Sequence, residues 1–341
     1  MNAFLNKKIN LLHLLTLSLL VALITFGLTN FYKKYQFDKQ ISSVTNYPAC
    51  KYDVKRLNGL KYIKPIMFVD EECQSDNLVG IKQRIVEIIN RYQTTGDVTS
   101  ASVYIREYNN NEWVDVNEDE KYQPGSLLKV PVLITILKMN EDNPGFLNKV
   151  VSFVKPFNIG KNVAYTDKSI KVGQKYTIKE LLNYMIKYSD NNATALLEKN
   201  MKWEVFEKLF SDIGLEAPEM KAEQYLVSVK EYSLFMRAIY NAAYLSISDS
   251  EYAAELLTEC DFKDGIVKGL PAKTFVAHKF GESGDMLEKQ LHESAIVYLD
   301  SKPYLLTIMT KGKENQKLCK LIAEISQAVY LEMSNSSAST M

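Results

Sequence analysis

The sequence predicts an α/β lobe interrupted by an all-helical lobe and preceded by one membrane-spanning helix. Three observations carry that prediction: the order of elements along the chain, five strand-like segments placed around a long helical stretch, and an uncharged apolar run near the N-terminus.

The apolar run comes first. From Ile9 to Tyr32 the chain reads INLLHLLTLSLLVALITFGLTNFY, with no charged residue. A run of that length can cross a hydrocarbon core of about 30 Å. Lys7 and Lys8 precede it, favouring a cytoplasmic N-terminus, although Lys33 and Lys34 follow. It is longer than a signal-peptide core and ends in no A-x-A-like site. The reading is an uncleaved signal anchor over residues 1–35, which places residues 33–341 outside the cytoplasm. His13, within the run, is a tolerated polar residue.

Residues 36–75 read as a stalk or accessory segment, carrying Pro48 and Pro65 and no sustained helical period. From Asp76 to Arg91 apolar residues return at helical spacing (Leu78, Ile81, Ile85, Ile88 and Ile89), with Asp76 as a candidate cap and Gly96 beyond the end. SASVYIREY and NEWVDVN read as two strands around a turn at Asn109-Asn110-Asn111. A mostly helical stretch then runs from about 126 to 260, broken by a β-prone piece near 168–177. TFVAHKFG, SAIVYLD and PYLLTIMT give three further strands, and an amphipathic helix over about 314–332 precedes the polar tail at 334–341. The catalytic domain is thus expected over 76–333.

Composition narrows the function. The 341 residues are 46% apolar and 24% charged, as in a globular protein with a sizeable core. Forty-one basic residues balance 41 acidic ones with no basic stretch, which argues against nucleic-acid binding. The four cysteines, Cys50, Cys73, Cys260 and Cys319, form no C-x-x-C or zinc pattern. In an exported domain Cys50 and Cys73 are placed to staple the segment after the anchor; unpaired core cysteines are the alternative.

With His13, His278 and His292 as the only histidines, a Ser-His-Asp triad is poorly supported and an H-E-x-x-H zinc motif is missing. A serine nucleophile needs another base. Pro124-Gly125-Ser126-Leu127-Leu128-Lys129 offers one: a turn, then an apolar helix, with Ser126 at its N-terminus, where free N–H groups favour developing negative charge. Lys129 lies one turn on, and a desolvated lysine near other cations can lose its proton and activate a hydroxyl. S-x-x-K alone is weak, and Ser152-Phe153-Val154-Lys155 repeats it just before Pro156. The companions decide. Ser189-Asp190-Asn191 follows 63 residues after Ser126, and Lys279-Phe280-Gly281 begins 90 residues after Ser189, at the end of a strand. Taken singly, Ser189-Asp190-Asn191 reads as a turn and N-cap, and the two lysines as solvated surface residues.

In that order the three motifs resemble the S-x-x-K, S-D-N and K-T-G set of class A β-lactamases and penicillin-binding proteins. The resemblance spans about residues 76–333. It implies an α/β/α sandwich around a five-stranded antiparallel sheet with a helical lobe, the site lying between them and using no metal or organic cofactor. It implies that Ser126 attacks a β-lactam or acyl-D-alanine-like amide, Lys129 takes its proton, and Ser189 with Lys279 protonates the leaving nitrogen. Asn191 would bind the substrate amide, Asp190 brace the loop, Gly281 admit substrate to the strand edge, and the N–H groups of Ser126 and Glu282 form the oxyanion hole.

Two departures stand out. Phe280 replaces the hydroxyl residue of the third motif, removing a donor for a substrate carboxylate. The region GLEAPEMKAEQYLVSVKEYSLF appears in place of the Ω-loop with its E-x-x-L-N pattern, and Ala217 and Lys221 replace the glutamate and asparagine. Glu219, Glu223 and Glu216 are the candidate substitute bases for deacylation. The expectation is a monomeric, β-lactamase-like serine hydrolase that deacylates slowly. The alternatives are a D,D-peptidase acting on cell-wall peptides and a non-catalytic module that binds them.

Overall fold

The computed structural model describes residues 17–18, 20–34, 51–157, 165, 168–218, 225–299 and 302–338. The chain divides into two compact units, Met1–Lys51 and Tyr52–Met341.

In the first unit, residues 20–34 form a helix, α1. The expected bilayer span over Ile9–Tyr32 is corrected here. Among the described residues, no helix is long and apolar enough to cross a membrane. At 1.5 Å per residue, the continuous helical stretch reaches about 22 Å, short of a core of about 30 Å, and it closes on Lys33 and Lys34. The rest of the run, residues 9–16 and Leu19, lies outside the described residues. With the span goes the reading built on it, a membrane partner and a tethered, extracytoplasmic domain.

The second unit opens with a hairpin, β1 (Tyr52–Arg56) and β2 (Ile66–Glu71), which pair antiparallel from Tyr52↔Glu71. Met67 and Phe68 are buried, and Asp70 receives Arg237 at 2.6 Å and Arg106 at 3.0 Å. Cys73, just after the hairpin, is disulfide-bonded, whereas Cys260 and Cys319 are free thiols. Cys50, the partner expected for Cys73, lies outside the described residues.

A five-stranded antiparallel sheet follows the order β4-β3-β9-β8-β7, built from β3 (Val98–Glu107), β4 (Trp113–Val116), β7 (Phe275–Gly284), β8 (Lys289–Tyr298) and β9 (Tyr304–Gly312). The β3–β4 turn falls where the three asparagines stand. Glu107 accepts the N–H groups of Asn109 and Asn110, and Asn111 takes a left-handed φ of 60°. Both faces of the sheet are covered, so strands carry apolar residues on both sides. Val103, Ile105, Leu306 and Ile308 face the helices α2 (Val79–Thr94) and α9 (Asn315–Ala338), while Tyr104, Leu305 and Met309 face the helical lobe. The α/β sandwich is the architecture the motifs imply.

Between β4 and β7 lies the helical lobe: α3 (Lys129–Asp142), α4 (Ile178–Lys187), α5 (Asn191–Glu198), α6 (Trp203–Ile213), α7 (Val229–Tyr240) and α8 (Ile247–Thr258). A two-stranded ladder, β5 (Val150–Ser152) with β6 (Lys175–Thr177), lies beside it, and β6 is the β-prone piece read from sequence. Ser152, of the second S-x-x-K, lies on β5, where no helix carries Lys155 back to it. Capping boxes start α4 (Thr177 with Glu180) and α7 (Ser228 with Glu231). α3 is buried almost all round, with Leu133, Ile134, Ile136 and Leu137 fully enclosed, as suits the central helix of a lobe.

Candidate active site

Two glycines bring the first and third motifs together. Gly125 has φ +53°, and a Cβ there would sit 2.2 Å from the carbonyl oxygen of Glu282. A Cβ on Gly281 would sit 2.3 Å from the carbonyl oxygen of Pro124. The turn before Ser126 and the edge strand β7 therefore lie backbone against backbone, a seam only glycine permits. The helix start differs slightly from the sequence reading: Gly125–Leu128 forms a 3₁₀ turn and the α-helix begins at Lys129. Tyr232 donates to the Leu127 carbonyl at 3.0 Å, fixing that turn from α7.

A second clamp was not foreseen. The Gln123 carbonyl accepts from Ser283 Oγ at 2.7 Å and from His292 Nε2 at 3.0 Å, and the Gln123 N–H donates to Gln290 at 3.0 Å. The Thr310 N–H donates to His292 Nδ1, so the ring is a neutral Nε2–H tautomer, and burial pushes its pKa down to about 3. A histidine, a serine and a glutamine on neighbouring strands carry no spacing that would reveal such a clamp in advance.

Lys129 is the centre of the site. Its Nζ lies 3.0 Å from Ser126 Oγ, 2.9 Å from Ser189 Oγ, 2.5 Å from the Ser189 carbonyl and 2.8 Å from Asn191 Oδ1. The side chain is buried, and burial followed by the nearby Lys279 charge holds its pKa well below the usual lysine value. Lys279 Nζ reaches Ser189 Oγ at 3.0 Å from the other side, donates to the Phe280 carbonyl at 3.0 Å, and has its pKa lowered to about 8 by burial. The Ser189 hydroxyl thus bridges the two lysine nitrogens. Its backbone takes φ +53°, a conformation rare for a residue with a Cβ, as is common where function fixes geometry.

Asp190 serves both as the cap the plain reading gave it and as a brace. It accepts the Asn192 N–H at the start of α5, and also Ser169 Oγ and the Ile170 N–H, each at 2.8 Å. Glu282 brings its backbone beside Gly125, while its carboxylate turns toward the Tyr165 N–H (3.4 Å) and Asn315 Nδ2 (3.5 Å). Phe280 is buried against Phe262, with ring centroids 4.3 Å apart. Ser126, Lys129, Ser189, Asn191, Lys279 and the backbone at Gly281–Glu282 thus converge, and the one described deacylation candidate, Glu216, does not join them. Glu219 and Glu223 lie outside the described residues, and Glu216 is exposed, its carbonyl accepting Tyr225 Oη. Among the described residues no cluster of His, Cys, Asp or Glu is arranged to hold a metal ion.

A sandwich of this topology, with two serines and two lysines gathered where the sheet edge meets a helical lobe, defines the superfamily of β-lactamase- and penicillin-binding-protein-like serine hydrolases, of which this chain is a distant member. The pattern of the β-lactamase enzyme family matches residues 80–333, and the chain belongs to that family. It is 22% identical over 291 residues to β-lactamase VEB-1 of Pseudomonas aeruginosa, covering 77% of this chain and 93% of that protein. Its fold is similar to that of a PBP-A variant solved as the acyl-enzyme with penicillin G, at 19% identity and a TM-score of 0.62, over 76% of this chain and 97% of that one. It is likewise similar to a class A β-lactamase from Mycobacterium abscessus, at 17% identity and a TM-score of 0.61, over 72% and 97% of the two chains.

Proposed function

We propose that the chain is a serine acyl-enzyme hydrolase acting on β-lactams or related amides, with Ser126 as nucleophile. One observation carries this reading: Nζ of Lys129, buried and depressed in pKa, lies within hydrogen-bond reach of both Ser126 Oγ and Ser189 Oγ. Neutral Lys129 takes the Ser126 proton as Oγ bonds to the substrate carbonyl carbon. The resulting oxyanion sits against the N–H groups of Ser126 and Glu282; one such donor is commonly worth roughly 2.7–4 kcal/mol. As the C–N bond breaks, the leaving nitrogen takes the Ser189 proton, and Lys129 restores it, returning to its neutral form. Lys279 lends positive charge to that transfer, and Asn191 orients the substrate amide.

The acyl ester must then meet water. In place of the family's loop glutamate stands Ala217, so water lacks that base, and general-base assistance is commonly worth about 10²–10⁴ in rate. The acyl-enzyme is therefore the accumulating species, which also fits a D,D-peptidase using the same acylation residues. The test is incubation with a penicillin, followed by intact mass over time. The expected result is one adduct per chain on Ser126, a burst equal to enzyme concentration, slow release, and no adduct in folded Ser126→Ala. Equal labelling of Ser126→Ala, or an adduct on Ser152, overturns the assignment. Fast turnover lost in Glu219→Gln or Glu223→Gln would instead assign a substitute base.

A further inference from the structure

We propose that the site favours acyl donors whose acyl portion carries negative charge, an acidic peptide rather than a neutral one, and that exposed lysines beside Ser189-Asp190-Asn191 make the selection; this rests on the acyl-enzyme reading above. The chain as a whole balances its charges, but the stretch from Lys149 to Lys202 holds ten lysines and four acids, spaced so that no basic run shows in the sequence. Folding brings three of these lysines to the rim of the site. Ser169 Oγ meets Asp190 at 2.8 Å and Asn192 Nδ2 at 3.2 Å, and the neighbouring Lys168 sets its Nζ 5.1 Å from the centre of the Tyr188 ring, one residue before Ser189. The Phe157 N–H donates to Asn192 Oδ1 at 3.0 Å, and Lys199 Nζ lies 4.3 Å from the centre of the Phe157 ring. The Lys171 N–H donates to Tyr176 Oη at 2.8 Å, and the rings of Tyr176, Tyr184 and Tyr188 follow one another at 5.8 and 5.6 Å.

What these lysines lack is a counter-charge. Lys168, Lys171 and Lys199 are exposed, and among the described residues none of them pairs with a carboxylate. Elsewhere Lys121, Lys138, Lys208, Lys311 and Lys317 each hold one. The acids described in the same stretch are engaged. Glu180 accepts the Thr177 N–H in a capping box, Asp190 accepts Asn192, Ser169 and Ile170, and Glu198 lies in the field of Lys129. A ring attracts an ammonium but carries no net charge, so the positive potential remains and reaches about 10 Å at ordinary salt. Asn191, which orients the substrate amide, adjoins Asn192 and through it Lys168 and Lys199, so the charge falls beside the acyl side of the substrate. Negative charge there raises the rate of productive encounter while the exposed lysines keep their water.

The experiment compares two penicillins of equal side-chain length, one bearing a hexanoyl group and one an adipoyl group, which ends in a carboxylate. Ser126 adduct formation is followed by intact mass below saturation. At about 0.01 M salt, where the screening length is about 30 Å, the adipoyl compound should label at least about tenfold faster, and at about 1 M salt the two rates should converge. Lys168→Gln combined with Lys199→Gln should cut the ratio severalfold with the hexanoyl rate unchanged. Lys121→Gln combined with Lys317→Gln, which removes two carboxylate-paired charges, should leave the ratio in place. Equal rates at low salt, a ratio untouched by the first pair of substitutions, or an equal fall with the second overturns this proposal while leaving the acyl-enzyme reading intact. Failure of both compounds to label Ser126 overturns both.

Discussion

The two faces of β7 answer to different demands. On one, Lys279 is fixed by Ser189 and the Phe280 carbonyl, and Gly281 lies against the Pro124 carbonyl beside Ser126. On the other, His278, Phe280 and Glu282 pack into a layer of rings and carboxylates behind the site. Adjacent residues in sequence face opposite ways, so Lys279 meets Ser189 while Phe280 stacks on Phe262, and the Lys279 ammonium alone reaches both, 4.0 Å from the centre of the Phe280 ring.

The sharpest way to break this contrast is at its chemical face. Lys129→Met should slow acylation of Ser126 by about 10²–10⁴ with the fold retained, measured as the adduct formation rate at saturating β-lactam. A loss below tenfold would mean that Lys129 is packing rather than base.

A smaller effect tests the coupling between the lysines. Lys129 must be neutral to accept a proton, so acylation falls as pH drops through its pKa. Lys279 is the second cause, after burial, that depresses that pKa. In Lys279→Met the pKa rises, and the acid limb of the rate profile should move toward higher pH. Stability provides an independent check. A lysine with its folded pKa lowered to about 8 penalises folding fully below that pH, and the penalty fades as pH rises toward the ordinary value of 10.5. Denaturation at pH 7 should thus find Lys279→Met more stable by roughly 1–3 kcal/mol, with the advantage shrinking by pH 10.

The smallest effect concerns the clamp on Gln123. His292→Leu removes one buried donor, worth about 1–3 kcal/mol. Acylation should slow about tenfold with its acid limb unmoved, because a ring titrating near 3 takes no part in the profile. A shifted limb would give His292 a proton-transfer role.

These contrasts also explain what the sequence disclosed. Ser126, Lys129 and Ser189-Asp190-Asn191 were legible because helix periodicity and capping chemistry are local: a turn, a hydroxyl and a lysine three residues on are recognisable without the rest of the chain. The sheet strands were legible as apolar runs buried on both faces. The β1–β2 hairpin was not, since Tyr52, Val54 and Ile66 are exposed and only Met67 and Phe68 point inward, leaving no alternation to find. The His292 clamp and the Phe262–Phe280–Tyr165 cluster were hidden for another reason, being assembled from distant segments by strand pairing. The apolar run misled because hydrophobicity alone was taken for a span, while the continuous described helix over 20–34 is too short to be one.

The Asp70 carboxylate has a consequence for where this protein can be cut. It neutralises Arg106 on β3 and Arg237 on α7, both nearly inaccessible to water, and the same hairpin lends the Val69 carbonyl to Arg106 and the Glu71 carbonyl to the Trp113 indole. A chain begun at residue 76 keeps everything matched by the family pattern, yet strands two guanidinium ions in a dry interior, and removing one partner of such a buried pair typically costs about 3–5 kcal/mol. The smallest autonomous piece therefore begins upstream of the recognisable homology, at the hairpin whose Asp70 closes the circuit between sheet and helical lobe.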